Sequence, residues 1–470
     1  MSHNKLWLIL LLLALPVVSS AEVHVNDAGT WKSPTEIHVN DGGTWKAAQE
    51  VYVNDAGVWT LVFNASSQSY VKVFGKRIYP LDTPVGGNNY CVRNDGVAAK
   101  ASATNCGSAE TSMSVSTFNG STFSDKDIVS ISSRGGALTT NITIPTGGTT
   151  SASRITYRGE PGYTPTLTAS GGVLVSVPNV DLIDITVDSI GATNFEFNGS
   201  IGGIRTYNLR GLNSGNQTFQ HLLDVHVDHY NLYAYGATDE GFSSHENAVV
   251  NVYGGVIENC YNGVNYVGAP TLAFYNLSIV GVTGGKAFDP APSAGASLLV
   301  DGGYFEESGL GLGYMIDLAN GAATFRNTVF CNLTDGSYYL LLRSTLTVGV
   351  VENCLFIGNG TASTTAIYNQ LATSRIKNNI FYNTITGGLY SINGAENNIF
   401  YNSGVAKGTN ASTADPNFAD VAGRDYSFDP ASPAYQSGAD LSAFFVSDYL
   451  TDNKRAGVSV WDIGPLQISQ

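Results

Sequence analysis

A large apolar residue recurs through the second half of this chain at intervals of 19 to 26 residues. The series is Val187, Leu209, Leu232, Ile257, Ile279, Phe305, Phe330, Phe356, Phe381 and Phe400. Five places before each stands Leu182, Ile204, Val227, Val252, Phe274, Val300, Phe325, Val351, Ile376 or Ala395. A repeat of that length, with short strands and Asn/Gly turns, marks a β-solenoid. One coil cannot bury its inward face, but stacked coils about 4.8 Å apart share a continuous apolar column. Leucine-rich repeats have a similar length but need a leucine consensus and a helix, and neither is visible.

The same register assigns other residues. Asn276, Asn327, Asn353, Asn378 and Asn397 stand three places before their anchors, where a column of Asn can build an amide ladder along the axis. Cys260, Cys331 and Cys354 fall at three different offsets, which keeps their α-carbons beyond bridging range. They are expected free and buried. Cys91 and Cys106 lie close in sequence and are expected to form a disulfide.

The ends of the chain differ from its middle. Lys5, an apolar run from Leu6 to Leu15, Pro16 and the small residues Ser19, Ser20 and Ala21 read as a secretory signal cleaved after Ala21. The run is too short for a membrane span. Three 14-residue units follow, at Glu22, Glu36 and Glu50. Each is an alternating strand, an Asn-Asp-x-Gly turn suited to a tight hairpin, and a second strand ending on Trp31, Trp45 or Trp59. The expected organisation is a signal peptide (1–21), hairpin repeats (22–63), a linker and start of the cap (64–89), a capped solenoid (90–408) and a C-terminal capping segment (409–470).

Motifs at both ends of the solenoid carry a family resemblance. Y-C-V-R-N-D-G from Tyr90, S-D-K-D-I-V-S-I from Ser124 and R-I-T-Y-R-G-E-P-G-Y-T-P-T-L from Arg154 open it. D-P-N-F-A-D from Asp415, R-D-Y-S-F from Arg424, S-P-A-Y from Ser432 and D-I-G-P-L-Q from Asp462 close it. These resemble secreted right-handed parallel β-helix proteins of the pectate-lyase-like superfold, including the chondroitin and alginate lyase-like group. The resemblance implies an all-β right-handed parallel β-helix of about ten or more coils, with polysaccharide as the substrate or partner. The hairpin units resemble short repeats of phage virion and tail-fibre proteins.

Charge narrows the partner. The formal net charge is −15 and charged residues make up only 13 %, so a nucleic-acid surface is not expected. The densest polar stretch is A-T-D-E-G-F-S-S-H-E-N, from Ala237 to Asn247, read as an inter-strand segment. Asp239, Glu240 and Glu246 are a candidate Ca²⁺ set, since that ion takes six to eight oxygen ligands. Offsets from the anchors place Lys286 on the flank of Asp239 two coils on, and Arg343 on that of His245 four coils on. His245 or Lys286 would be the base of a uronate lyase, with Arg343 or a metal neutralising the substrate carboxylate. Tyr233, Tyr235 and Tyr266, with Tyr253 and Tyr275, offer faces to sugar rings. A glycosidase would instead pair Asp239 with Glu246 or with Asp317. The leading expectation is a lyase-like enzyme on an acidic glycan. The alternative is a non-catalytic spike or adhesin binding host glycans, and either leaves room for a homo-oligomer.

Overall fold

The computed structural model describes most of residues 87–441 and residues 461–465, apart from short loop segments. Within residues 1–86 it describes only the backbone of six short strands, so the signal-cleavage reading lies outside the described residues. The chain divides into two compact units, residues 1–76 and 77–470. In the first, each 14-residue repeat forms an antiparallel pair. Asn26 faces Trp31, Asn40 faces Trp45 and Asn54 faces Trp59 across the turns.

The second unit is a parallel β-solenoid with three strips of strands. Sheet I holds Phe195–Asn198, Phe219–Leu222, Glu240–Glu246 and Asn262–Gly268 among its strands. Sheet II holds Ile204–Tyr207, Ser297–Asp301 and Ala322–Arg326. Sheet III holds Arg210–Leu212, Tyr304–Glu306, Val329–Cys331 and Leu355–Ile357. In the middle coils His226–Tyr235, Val249–Glu258 and Thr271–Val280 run through sheets II and III without a break. The corner between them is made by single residues in the left-handed region: Asn208, Asn231, Gly254, Asn276, Gly302, Asn327, Asn353, Asn378 and Asn397. Asn and Gly tolerate that conformation best among the twenty residues. This backbone demand explains the Asn column first. Amide rungs are added where neighbours allow, Asn231 to Asn208 at 2.9 Å and Asn208 to Asp184 at 3.0 Å. One place further along the chain, Asn379 donates to Asn398 at 3.1 Å.

The anchor column holds from the middle of the solenoid onward. Ile257, Ile279, Phe305, Phe330, Phe356, Phe381 and Phe400 pair in strict register. Upstream it runs through Gly211 and Ala234, two places past the expected Leu209 and Leu232. A β-carbon on Gly211 would overlap Thr218 Cγ2, so neighbouring side chains already fill the lumen there. Leu209 and Leu232 are buried one inward position earlier. The companion column shifts likewise: Thr206 and His229 occupy the rungs expected for Ile204 and Val227.

At the first coils the short helix Val115–Asn119, capped by Ser114, drives Phe118 edge-on against Tyr157. After the last coil the C-terminal segment adds bridges at Thr409 and Ser412, then returns along the flank of sheet III. There the Arg424 side chain donates to Glu306 at 2.7 Å, and the Tyr426 hydroxyl reaches Cys331 Sγ at 3.5 Å. The described part of the closing segment is thus a side strap.

Cys91 and Cys106 are bonded, with α-carbons 5.2 Å apart, while Cys260, Cys331 and Cys354 are free and buried. Burial pushes the thiols of Cys260 and Cys331 up to about 11, so they are unreactive in the fold. Alkylation of the native protein is expected to miss all three. After unfolding without reductant it should label three, leaving one protected pair on the peptide map.

Candidate active site

The polar stretch read as a loop is largely a strand. Glu240–Glu246 pairs in parallel with Phe219–Leu222 on one side and Asn262–Gly268 on the other. Phe242 and Ser244 point into the lumen and are fully buried. Extension separates what sequence had grouped. At about 3.3 Å per residue, Glu240 and Glu246 lie roughly 20 Å apart. Glu246 is exposed and leaves the strand with φ 58°. The three-carboxylate calcium set therefore does not converge, and Asp239 and Glu246 are too far apart for a glycosidase pair, which needs about 5–10 Å. Among the described residues no three His, Cys, Asp or Glu side chains gather as a metal site.

At the leading end of the strand, Asp239 and Glu240 form a carboxyl pair. Glu240 is buried, and its Oε1 accepts from Asn265 Nδ2 at 2.9 Å. Its Oε2 is buried with no donor facing it. Gln217 Nε2 donates to Asp239 Oδ2 at 3.2 Å. Burial, and then the charge of Glu240, push the Asp239 carboxyl up to about 6. Once protonated, below about pH 6, Asp239 becomes the donor that Glu240 lacks.

Two neighbours complete this strip. Tyr261 occupies the place of Asp239 one coil on and is 44 % exposed. Sequence inspection missed it because Tyr261 stands four places after its anchor Ile257 and Asp239 seven after Leu232, so only the strand pairing aligns them. It lies beside Gly284, where a β-carbon would overlap the phenol ring. Lys286 stands in register with Glu240 two coils on, through Asn262, or about 10 Å. The flank inferred from sequence is right, one residue away from Asp239. Its ammonium is 2.7 Å from Asp289 Oδ1, which makes it a fixed positive charge rather than a proton acceptor.

The other candidates lie elsewhere. His245 is at the far end of the strand, its Nε2 2.9 Å from Ser243 Oγ, and burial holds its ring below the usual histidine range. Its rung neighbours include Val267, and it is roughly 17 Å from Glu240. Arg343 lies on the strand Leu340–Ser344, its backbone paired with Asp317 and Tyr368. The side chains of Arg343 and Asp317 lie outside the described residues. Tyr266 points inward and is 2 % exposed, so it cannot meet a sugar. Its even spacing from Phe242's partner Val264 puts it on the lumen face. Tyr233 and Tyr235 are on the outside of sheet III, with Tyr233 donating to Glu258 at 3.0 Å beneath the Arg210 guanidinium. Tyr253 and Tyr275 belong to an external stack with Tyr207 and Tyr230, at centroid spacings of 4.8 to 5.1 Å.

Among the described residues no helix is long and apolar enough to cross a membrane. No protein-family model and no curated protein matches the sequence. Solved structures align with it, two of them as follows. A rhamnogalacturonan lyase aligns at 15 % identity and TM-score 0.44, over 62 % of this chain and 87 % of its own. The pectate lyase Pel9A aligns at 12 % identity and TM-score 0.47, over 81 % of this chain and 96 % of its own.

Proposed function

We propose that this chain is an exported enzyme that cleaves an acidic polysaccharide by β-elimination, with Asp239 as the proton-transfer group. The observation carrying this reading is the Asp239–Glu240 pair, whose shared proton leaves near pH 6, where a general base works best at neutral pH. Ionised Asp239 removes the proton beside the uronate carboxyl group. The electron pair forms the carbon–carbon double bond, the glycosidic oxygen departs, and it takes up a proton. Lys286 supplies positive charge to the substrate carboxylate, and the exposed Tyr261 ring offers a stacking face to a neighbouring sugar. No step runs through calcium, because the acids do not assemble around one point.

Incubation with alginate, pectate and glycosaminoglycans tests the reading. A lyase yields unsaturated ends that absorb in the ultraviolet, and its rate climbs as pH rises through about 6 while Asp239 deprotonates. A hydrolase using Asp239 as general acid yields reducing ends without that absorbance, and its rate falls over the same range. The tandem N-terminal hairpins favour a second reading, a glycan-binding surface protein, which would bind one of these polymers and release nothing.

A further inference from the structure

Two histidines sit where the lumen should be apolar. His221 on sheet I and His229 on sheet II are fully buried, with their Nε2 atoms 2.8 Å apart. His221 Nδ1 is 3.0 Å from the Ser243 carbonyl, and His229 Nδ1 is 2.7 Å from Thr206 Oγ1. This pattern permits a single arrangement of hydrogens. A carbonyl only accepts, so His221 Nδ1 carries the proton and its Nε2 accepts. His229 Nε2 must then donate, its Nδ1 accepts, and the Thr206 hydroxyl donates to it. Four groups form one directional wire across the lumen, tying sheet II to the strand that carries the candidate site.

We propose that this wire is an acid-sensitive lock between two walls of the solenoid. A proton added to His221 Nε2 sets two donors face to face. One added to His229 Nδ1 lets the Thr206 hydroxyl turn and accept, but it leaves a buried imidazolium with no carboxylate bonded to it among the described residues. The surroundings are aromatic: Phe197 and Phe242 pack against His221, and Phe197, Phe219 and Phe242 meet His229 edge-on. The titratable groups that act on the pair are the two rings themselves and His245, and all three disfavour a further positive charge. Burial pushes His221 down to about 4 and His229 well below its ordinary value.

The sign follows from linkage. The opened state takes up protons below about pH 6.5 while the closed state does not, so stability present at neutral pH is lost as pH falls from about 6.5 toward 4. For His221 alone, going from pH 7 to pH 5 should raise the open population about 20-fold, and His229 adds to it.

Hydrogen exchange of the full chain, corrected for the intrinsic pH dependence, reads this directly. Peptides covering Ile204–Tyr207, Phe219–Leu222 and Glu240–Glu246 should open at least about 20-fold more at pH 5 than at pH 7. The strand Leu355–Ile357 serves as the internal control and should change far less. In the double variant His221→Phe, His229→Leu the pH-dependent opening of Ile204–Tyr207 and Phe219–Leu222 should drop by at least about 10-fold, whatever the baseline, while Glu240–Glu246 keeps the part due to His245. Should that variant not fold, nitrogen-15 spectra of the parent decide the matter through the tautomers: His221 protonated at Nδ1 and His229 at Nε2 at pH 7. Uniform opening along the solenoid, equal pH dependence in the folded variant, or the opposite tautomers would each overturn the proposal.

Discussion

Asp239→Asn is expected to lower turnover on the cleaved glycan by about 10²–10⁴-fold, the usual contribution of a positioned proton-transfer group. Asn keeps the shape of Asp and can donate to Glu240, whose Oε2 has no donor in the parent. The fold should therefore survive. The carboxyl of Asp239 is held above its ordinary range, so its ionised form is disfavoured in the folded state. The variant should consequently melt no lower than the parent at pH 7, with any advantage shrinking below about pH 6, where Asp239 takes its own proton. Glu240→Gln is the informative partner. Removing the neighbouring charge should shift the rising limb of the pH–rate profile to lower pH, because that charge is one cause of the raised value. Rate assays with parallel melts check both. An Asp239→Asn protein with unchanged turnover would remove Asp239 from the chemistry.

How much of this was legible in the sequence depends on which residues are asked about. Phe305 to Phe400 announce their column because each of these inward positions carries a large side chain of its own. The column fades at Gly211 because Thr218 reaches across from another wall, and spacing cannot register a residue filled by its neighbour. The same shift hid the Thr206–His229 rung and with it the lumen wire. The candidate site shows the opposite error. Asp239, Glu240, His245 and Glu246 are one cluster in sequence, but strand geometry spreads them over roughly 20 Å. Tyr261 and Asn265 join Asp239 and Glu240 from the next coil. In a solenoid the neighbours that matter lie one repeat away, so local density misleads where register informs.

Register is also what makes the second large effect predictable. Phe330 is fully buried, stacked on Phe356 at 4.5 Å and packed against Phe305 and Phe325 at 5.5 and 5.6 Å. Phe330→Asp places an unpaired carboxylate in that column, and such a charge costs several kcal/mol or forces the coils apart. Because each coil leans only on its neighbours, the damage should begin locally, at Tyr304–Glu306, Val329–Cys331 and Leu355–Ile357. The strap should loosen with it, since Arg424 is tied to Glu306 and Tyr426 to Cys331 in those strands. Limited proteolysis should then cut the returning segment before it cuts sheet I. Ile190→Asp is the control, because Ile190 is 84 % exposed and a surface change there should cost no more than about 0.5 kcal/mol. Equal melting of the two variants would mean that Phe330 is not a rung of the column, and the register from Ile257 to Phe400 would have to be redrawn.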